Sequence, residues 1–388
     1  MLNNIHIKNF RMLEDLEIPK LGRVNLIVGK NNSGKSTVLE ALRIYAGRAN
    51  TSLLREIILG HDESFSFDSE INSNGQQILT WSSIKHLFTT RQLPADEKKS
   101  IVIGNGKNIS IEYVYYYIET EEVFDEDGDV IDVNRKRIFV SHSDLKKISD
   151  TENPVPAIRV RNGLRTSVFD LNDEMEKSLS ASLFHRIVSK DTLNCSYVPT
   201  DFLSSEALAN LWDKITLSPK ENKVIHALQI IDSNLDRLTF VEDINSPATR
   251  NKNRLAIVKL KNSDERIPLN SMGDGMSRIL QLILSVFPAQ DGILLIDEFE
   301  NGLHYSVQQE VWKIIFELAK DLNIQVFATT HSWDCIESFT KAAIKSKEDG
   351  VLLKVSRSKL TSDNNKVIAT VYSEKELETI TASDLEVR

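Results

Sequence analysis

Cysteine is nearly missing from this sequence. Among 388 residues only Cys195 and Cys335 occur, far apart and in no metal-ligand spacing. That argues against a disulfide framework or a thiolate zinc site and suits a reducing compartment, so a cytoplasmic location is expected. Basic charge is also in the minority. Lysine and arginine number 47 against 56 aspartates and glutamates, for a formal net charge of -9. A uniformly basic nucleic-acid coat is thereby excluded, although a local basic groove is not. No apolar run approaches the ~18 residues of a membrane-spanning helix, so no membrane partner is expected. The opening stretch MLNNIHIKNFRMLEDLEIPK is charged too early and too often for a signal peptide. Repeats, low-complexity tracts and long heptad arrays are lacking as well.

What is present is 41% hydrophobic residues, enough for a large core or for one domain with a sizeable insertion. Strands alternate with helices at both ends, which predicts an α/β core with a largely parallel sheet. Near the N-terminus NNIHIKNF alternates like a strand, two short strands follow, and the helix after Ser36 stops at Gly47. Toward the C-terminus the strand LLI (294–296), the amphipathic helix SVQQEVWKIIFELAKDL and the strand IQVFATT come in turn. A last hairpin is expected from GVLLKVSR and VIATVYS. The middle differs. Residues 51–173 read as an antiparallel β-rich region, with strands at 109–119 and 137–141 and a hairpin signal at Asp127-Gly128. Residues 174–240 read as a helical insertion or lid, with Ser218-Pro219 as a helix start.

Two motifs carry the chemistry. GKNNSGKS, Gly29 to Ser36, fits G-x-x-x-x-G-K-[ST] and lies between a buried strand and a helix, the context that gives the pattern its meaning. Gly29 and Gly34 let the backbone wrap around phosphates, and the amides along Asn31, Asn32, Ser33 and on to Thr37 point inward. The helix N-terminus adds partial positive charge. Lys35 reaches the β- and γ-phosphates, and Ser36 offers its hydroxyl to Mg²⁺. The second motif is LLIDEFENGLH, residues 294–304. A buried apolar strand here runs straight into carboxylates. A bound nucleotide explains that: Asp297 would hold its cation, and Glu298, one residue on, would polarise a water in line with the γ-phosphate. ATP and Mg²⁺ are the expected cofactors. Parallel sheets collect ligands at the carboxyl ends of their strands, where both motifs lie.

LLIDEFENGLH resembles the Walker B and D-loop of ABC-type ATPases, in the branch that includes RecF, SMC and OLD proteins. HIKNFRMLEDLEI followed by VNLIVGKNNSGKSTVLEAL resembles the start of that branch. LNSMGDGMSRIL, 269–280, stands where the family's signature segment belongs, and FATTHS, 327–332, resembles the strand and switch histidine that follow. The resemblance implies an ABC-type P-loop ATPase head, with residues 1–50 and 241–388 as the halves of its core. It also implies roles: Ser271 and Gly273 contacting the γ-phosphate held by another subunit, His331 as γ-phosphate sensor, Arg11 near the nucleotide, and Asn301 and His304 in the D-loop across a dimer interface. Met272 stands where the usual signature has its first glycine. Gln76, Gln77 and Gln92 are candidates for the Q-loop residue.

The same resemblance implies partners. Two chains, or a higher even number, would sandwich ATP head to tail, and hydrolysis would open the sandwich. The sequence is most similar to compact ATPases of OLD-like bacterial defence systems. The stretch after His331 is too short for the Toprim nuclease of OLD-type relatives, so a separately encoded effector of that kind is expected. The alternative is a DNA-binding ATPase of the recombination-repair kind, with basic residues at 159–165 and 249–261 as phosphate contacts. A transporter subunit, the third reading, is disfavoured by the IKNFR strand and the ENGLH loop.

Overall fold

The structure is a computed structural model. It describes residues 1–61, 63, 80–94, 99–106, 108–124, 130–141, 144–145, 153–163, 165–173, 193–242, 254–261, 263–346, 350–372 and 376. Along the chain run β1 (Ile5–Phe10), β2 (Leu13–Ile18), β3 (Val24–Val28), α1 (Lys35–Ala46) and α2 (Thr51–Leu59). Then come β4 (Ile101–Gly104), β5 (Ile109–Phe124), β6 (Val130–Val140), β7 (Val155–Asn162), β8 (Arg165–Asp170) and β9 (Cys195–Val198). Next are α3 (Ser205–Asp213), α4 (Pro219–Leu228), β10 (Leu235–Glu242), β11 (Arg254–Leu260), β12 (Arg266–Pro268) and α5 (Asp274–Val286). The chain finishes with β13 (Ile293–Ile296), α6 (Tyr305–Asp321), β14 (Gln325–Thr330), α7 (Trp333–Lys345), β15 (Gly350–Arg357) and β16 (Val367–Tyr372). Among the described residues no helix is long and apolar enough to cross a membrane.

The chain divides into two compact units, one made of residues 1–5, 17–39 and 193–388, the other of residues 6–16 and 40–192. The first is built on a six-stranded sheet in the order β16-β15-β3-β14-β13-β9. All neighbours are parallel except the β15–β16 hairpin. β3, β13 and β14 are buried along their whole length, as expected of strands covered on both faces. Asn25 is the polar exception in β3. Its side chain accepts from Gly22 N at 2.8 Å and donates to the Gly22 and Val326 carbonyls, so every polar atom buried with it is used. Helix α6 closes one layer of the core with Trp312, stacked on Phe299 at 3.8 Å and meeting Phe339 edge-on at 5.1 Å.

Register decides where the chemistry lies. Val28 pairs with Thr330, and Ile296 with Ala328 and Val198. The residues that follow β3, β13 and β14 therefore emerge at one edge of the sheet. They are the phosphate loop, Asp297-Glu298 and His331.

The second unit carries an antiparallel sheet in the order β2-β1-β4-β5-β7-β8, with β6 paired to β5. Trp81, fully buried, stacks on Phe169 at 4.0 Å. β5 and β6 run further than hydrophobic alternation predicts. Beyond Ile118 they pair Glu119 with Lys136 and Thr120 with Arg135, so cross-strand charge and not burial continues the ladder. The turn predicted at Asp127-Gly128 lies outside the described residues.

The stretch expected to be a helical insertion departs from that reading in two elements, the strand β9 and the start of the strand β10, Leu235–Glu242, which pairs antiparallel with β11. Cys195–Val198 is a parallel edge strand of the core sheet. Its four mixed residues, CSYV, are too short and too polar to show a strand period. α4 begins as read, with Ser218 accepting from Lys220 N, and α3 is capped by Ser204, which accepts from Ala207 N. Both helices pack through Leu208, Trp212, Val224 and Leu228 into the same core as β3 and β13. Residues 174–192 lie outside the described residues.

Gly292 sits where the chain enters β13. A Cβ there would lie 1.9 Å from the carbonyl oxygen of Asn194, a backbone atom that cannot swing aside. Gly292→Ala is expected to destabilise the protein by about 1–3 kcal/mol through overpacking at this strand pair. A lowered urea midpoint at unchanged slope would show it; an unchanged midpoint would contradict the crowding.

Candidate active site

The phosphate loop is shaped by two glycines. At Gly29 a Cβ would lie 2.3 Å from the Val355 carbonyl oxygen and 2.6 Å from Ser33 Oγ. Gly34 has φ 105°, a region that favours glycine. Asn32, at φ 58°, adds a left-handed residue of a type that tolerates it. Lys35 is buried and donates to the Gly29 carbonyl at 2.8 Å and the Lys30 carbonyl at 3.1 Å. Burial lowers its pKa, while Glu298, Asp297 and Glu300 pull it back up. Ser33 Oγ is buried with no hydrogen-bond partner among the described residues.

Asp297 is buried at the end of β13. Its Oδ1 accepts from Thr329 Oγ1 at 2.5 Å and from Ser36 Oγ at 3.3 Å. The same Thr329 hydroxyl accepts from the Glu298 amide at 2.8 Å. One side chain of β14 thus positions both acidic residues of β13. Glu298 has φ 46°, a strained conformation for a residue with a side chain. His331 Nδ1 lies 3.2 Å from Glu300 Oε1 and 3.7 Å from Glu298 Oε1. Its backbone N–H donates to Glu300 Oε1 at 3.0 Å. Glu300 Oε2 is buried without a hydrogen-bond partner among the described residues.

The oxygen donors here suit a hard cation. Mg²⁺ is usually held by one or two side chains together with substrate phosphates and water, not by an all-protein cage. Ser36 and Asp297 supply a hydroxyl and a carboxylate, already 3.3 Å apart. The close quarters at Gly29 and the unpartnered Ser33 hydroxyl fit a loop built for phosphate oxygens.

Arg278 was not singled out by sequence reasoning. It comes from α5, and it is fully buried. Its guanidinium donates to the carbonyls of Asp297 at 2.9 Å, Glu298 at 2.8 Å and Pro199 at 2.8 Å. Burial pulls its pKa down to about 10, against the attraction of Glu300, Asp297 and Glu298. The available signal was a lone cation inside the apolar helix MSRILQLILSV. Glu300 was visible only as a third carboxylate without a role.

The remaining predicted residues divide. Ser271 Oγ donates to the Pro268 carbonyl at 2.7 Å and is exposed. Gly273, at φ 96°, forms the N-cap of α5 without a side-chain bond. Asn301 donates to the Thr200 carbonyl at 2.8 Å, and His304 caps α6. Arg11 belongs to the other compact unit, where Glu40 at 2.8 Å and Glu63 at 2.7 Å hold its guanidinium. Gln92 is exposed in that unit, and Gln76 and Gln77 lie outside the described residues. The basic clusters are largely engaged by acids. Arg159 is buried against Glu112 at 2.6 Å, Arg254 is bound to Asp213 at 2.6 Å, and Lys259 to Asp264 at 2.9 Å. Of the 249–261 stretch, 249–253 lie outside the described residues.

Replacing Thr329 by valine keeps the shape of the side chain and removes the hydroxyl. The Asp297 carboxylate and the Glu298 amide each lose a partner, so a loss of about 1–3 kcal/mol in urea-unfolding free energy is expected. Unchanged stability would mean that this hydroxyl does not hold the site.

The AAA ATPase domain family matches residues 1–336. An ATP/GTP phosphatase of Helicobacter pylori is 26% identical over 354 residues, which cover 87% of each chain. An OLD nuclease of Thermus scotoductus is 45% identical over 53 residues, 14% of this chain and 10% of that protein. Among solved structures, an Smc head bound to the C-winged helix domain of ScpA aligns with 98% of this chain and 99% of its own, at 15% identity and a TM-score of 0.45. With a phosphate loop and a strand-end acid pair joined at one edge of a parallel sheet, this chain belongs to the AAA ATPase domain family, in the branch that includes RecF, SMC and OLD proteins, and is an ATP hydrolase.

Proposed function

We propose that the chain is a Mg²⁺-dependent ATPase whose ATP-driven dimerisation regulates a separately encoded effector, a nuclease, in bacterial anti-phage defence. The observation that carries the catalytic part is the bond set joining Ser36, Asp297, Thr329 and Glu298. Lys35 and the loop amides bind the phosphates. Mg²⁺, held by Ser36 and Asp297, would neutralise charge on the phosphate oxygens. Glu298 takes a proton from the attacking water. Glu300 orients His331 through its Nδ1, leaving Nε2 for the γ-phosphate.

Dimerisation is supported by the single copy of each motif and by the uncapped start of α5 beside Ser271. A helix N-terminus free of a side-chain cap suits an anion brought by another subunit. The effector and the defence role rest on the likeness to an OLD nuclease, which is confined to 53 residues. The recombination-repair alternative has less support, since Arg159 and Arg254 are occupied by carboxylates. A cytoplasmic setting suits these partners.

Lys35→Ala is expected to lower ATP turnover by roughly 10²–10³-fold, the scale of one lost transition-state donor. Glu298→Gln should bind Mg-ATP, turn over at a comparably reduced rate and run as a dimer in light scattering, while Lys35→Ala stays monomeric. A monomeric Glu298→Gln protein saturated with Mg-ATP would rule out the sandwich. Co-purification of the neighbouring gene's product in high salt would support the effector, whereas salt-sensitive stimulation by DNA would favour the repair reading.

A further inference from the structure

The geometry points to Arg278 as the positioning residue that holds Glu298 in its working orientation and ties that orientation to the start of α5. This rests on the assignment of Glu298 as the base, proposed above.

A fully buried arginine is unusual, because desolvation is costly and an apolar residue of similar volume often serves stability as well or better. Its neighbours on α5, Met276, Ile279, Leu280 and Ile283, are buried and apolar. Among the described residues Arg278 makes no carboxylate bond to offset that cost. All three of its hydrogen bonds go to backbone carbonyls, and two of those belong to Asp297 and Glu298. Its Nε has no hydrogen-bond partner among the described residues. A side chain selected only to fill this space would not need a fork of donors aimed at one turn.

That turn is where strain is stored. Glu298 has φ 46°, and a side-chain-bearing residue stays there only when its surroundings over-determine it. Thr329 fixes the amide of Glu298 from one side. Arg278 fixes the carbonyls before and after its Cα from the other. With both peptide planes clamped, the direction of the Glu298 side chain is set by backbone and not by its own contacts.

The clamp also reaches the segment around Ser271 and Gly273. α5 begins at Asp274, one turn before Arg278. A Cβ at Gly275 would lie 3.3 Å from the Gly302 carbonyl oxygen, and a Cβ at Gly302 would lie 3.4 Å from Arg278 Cβ. The first turn of α5 and the turn after Glu298 are thus in contact, closest where Gly275 meets the Gly302 carbonyl. A ligand that shifts the start of α5 therefore acts on Glu298 through Arg278. The effect belongs chiefly in the rate of the chemical step, because Arg278 holds the Asp297 and Glu298 backbone, while the Asp297 carboxylate keeps its own bonds to Thr329 and Ser36.

The test is a cycle between Arg278→Lys and Glu298→Gln, with turnover, KM and calorimetric Mg-ATP affinity measured for each protein. A lysine keeps the charge but cannot span three carbonyls. Arg278→Lys alone is expected to lower kcat by roughly 10²-fold, as small misplacements do, with KM and affinity within about twofold of wild type. In the Glu298→Gln background it should lower the residual rate no further. The same fold-loss in both backgrounds, or affinity falling in step with kcat, would make Arg278 a structural residue only and overturn the proposal. Wild-type turnover by Glu298→Gln alone would instead sink the assignment of the base. If Arg278→Lys fails to fold, Gly302→Ala, strained by the glycine φ of 72°, disturbs the turn against Arg278 without removing the guanidinium. It is expected to give the same pattern, lower kcat that vanishes as an effect in the Glu298→Gln background, and an additive loss there overturns the proposal equally.

Discussion

Everything at the candidate site depends on the parallel register of three strands. β3 and β14 end at the paired residues Val28 and Thr330, and β13 ends two positions earlier, at Ile296 opposite Ala328, so the loop after Val28, the acids after Ile296 and the histidine after Thr330 emerge together. Slipping one strand by a single residue would send its side chains to the opposite face. Thr329 would then point away from Asp297, and the bond that organises both carboxylates would be lost. The strands resist that slip because each is buried along its whole length, and one face of each, through Leu26, Leu294 and Val326, packs into a core shared with the helices.

The edge so formed is crowded with charge. Asp297, Glu298 and Glu300 lie close enough to affect both Lys35 and Arg278. In a partly buried setting such charges act strongly on each other. The two cations are handled differently. Lys35 is compact, flexible and held by carbonyls of its own loop, which it can exchange for phosphate oxygens. Arg278 is rigid, forked and bound to the turn it supports. In the proposed function Lys35 is the cation that meets substrate, and Arg278 is the one that holds the turn.

The second compact unit follows another logic. Its buried residues include Trp81, Phe10, Phe88 and Ile111, and its longest ladder continues past Ile118 through mostly polar pairs such as Glu119 with Lys136. Its cations are spent locally. Arg11 answers to Glu40 and Glu63, and Arg159 to Glu112.

The sequence by itself determined the phosphate loop, the acid pair and the order of strands and helices around them. Those features are local: a glycine spacing, an apolar run ending in carboxylates and a helical period each reveal themselves within about a dozen residues. The serine cap at 218 was legible for the same reason. Only the tertiary structure decided the rest. Whether CSYV becomes a strand depends on the partner edge offered by β13, and no four-residue window contains that edge. Arg278 and Thr329 earn their roles by meeting residues 19 and 32 positions away, across elements whose packing brings them together. Arg11 looked like a nucleotide contact from its motif, yet its guanidinium is held by two carboxylates that only the fold places beside it. Side-chain function that arises from such long-range meetings has no period and no spacing to read, because the interaction does not exist until the core is closed.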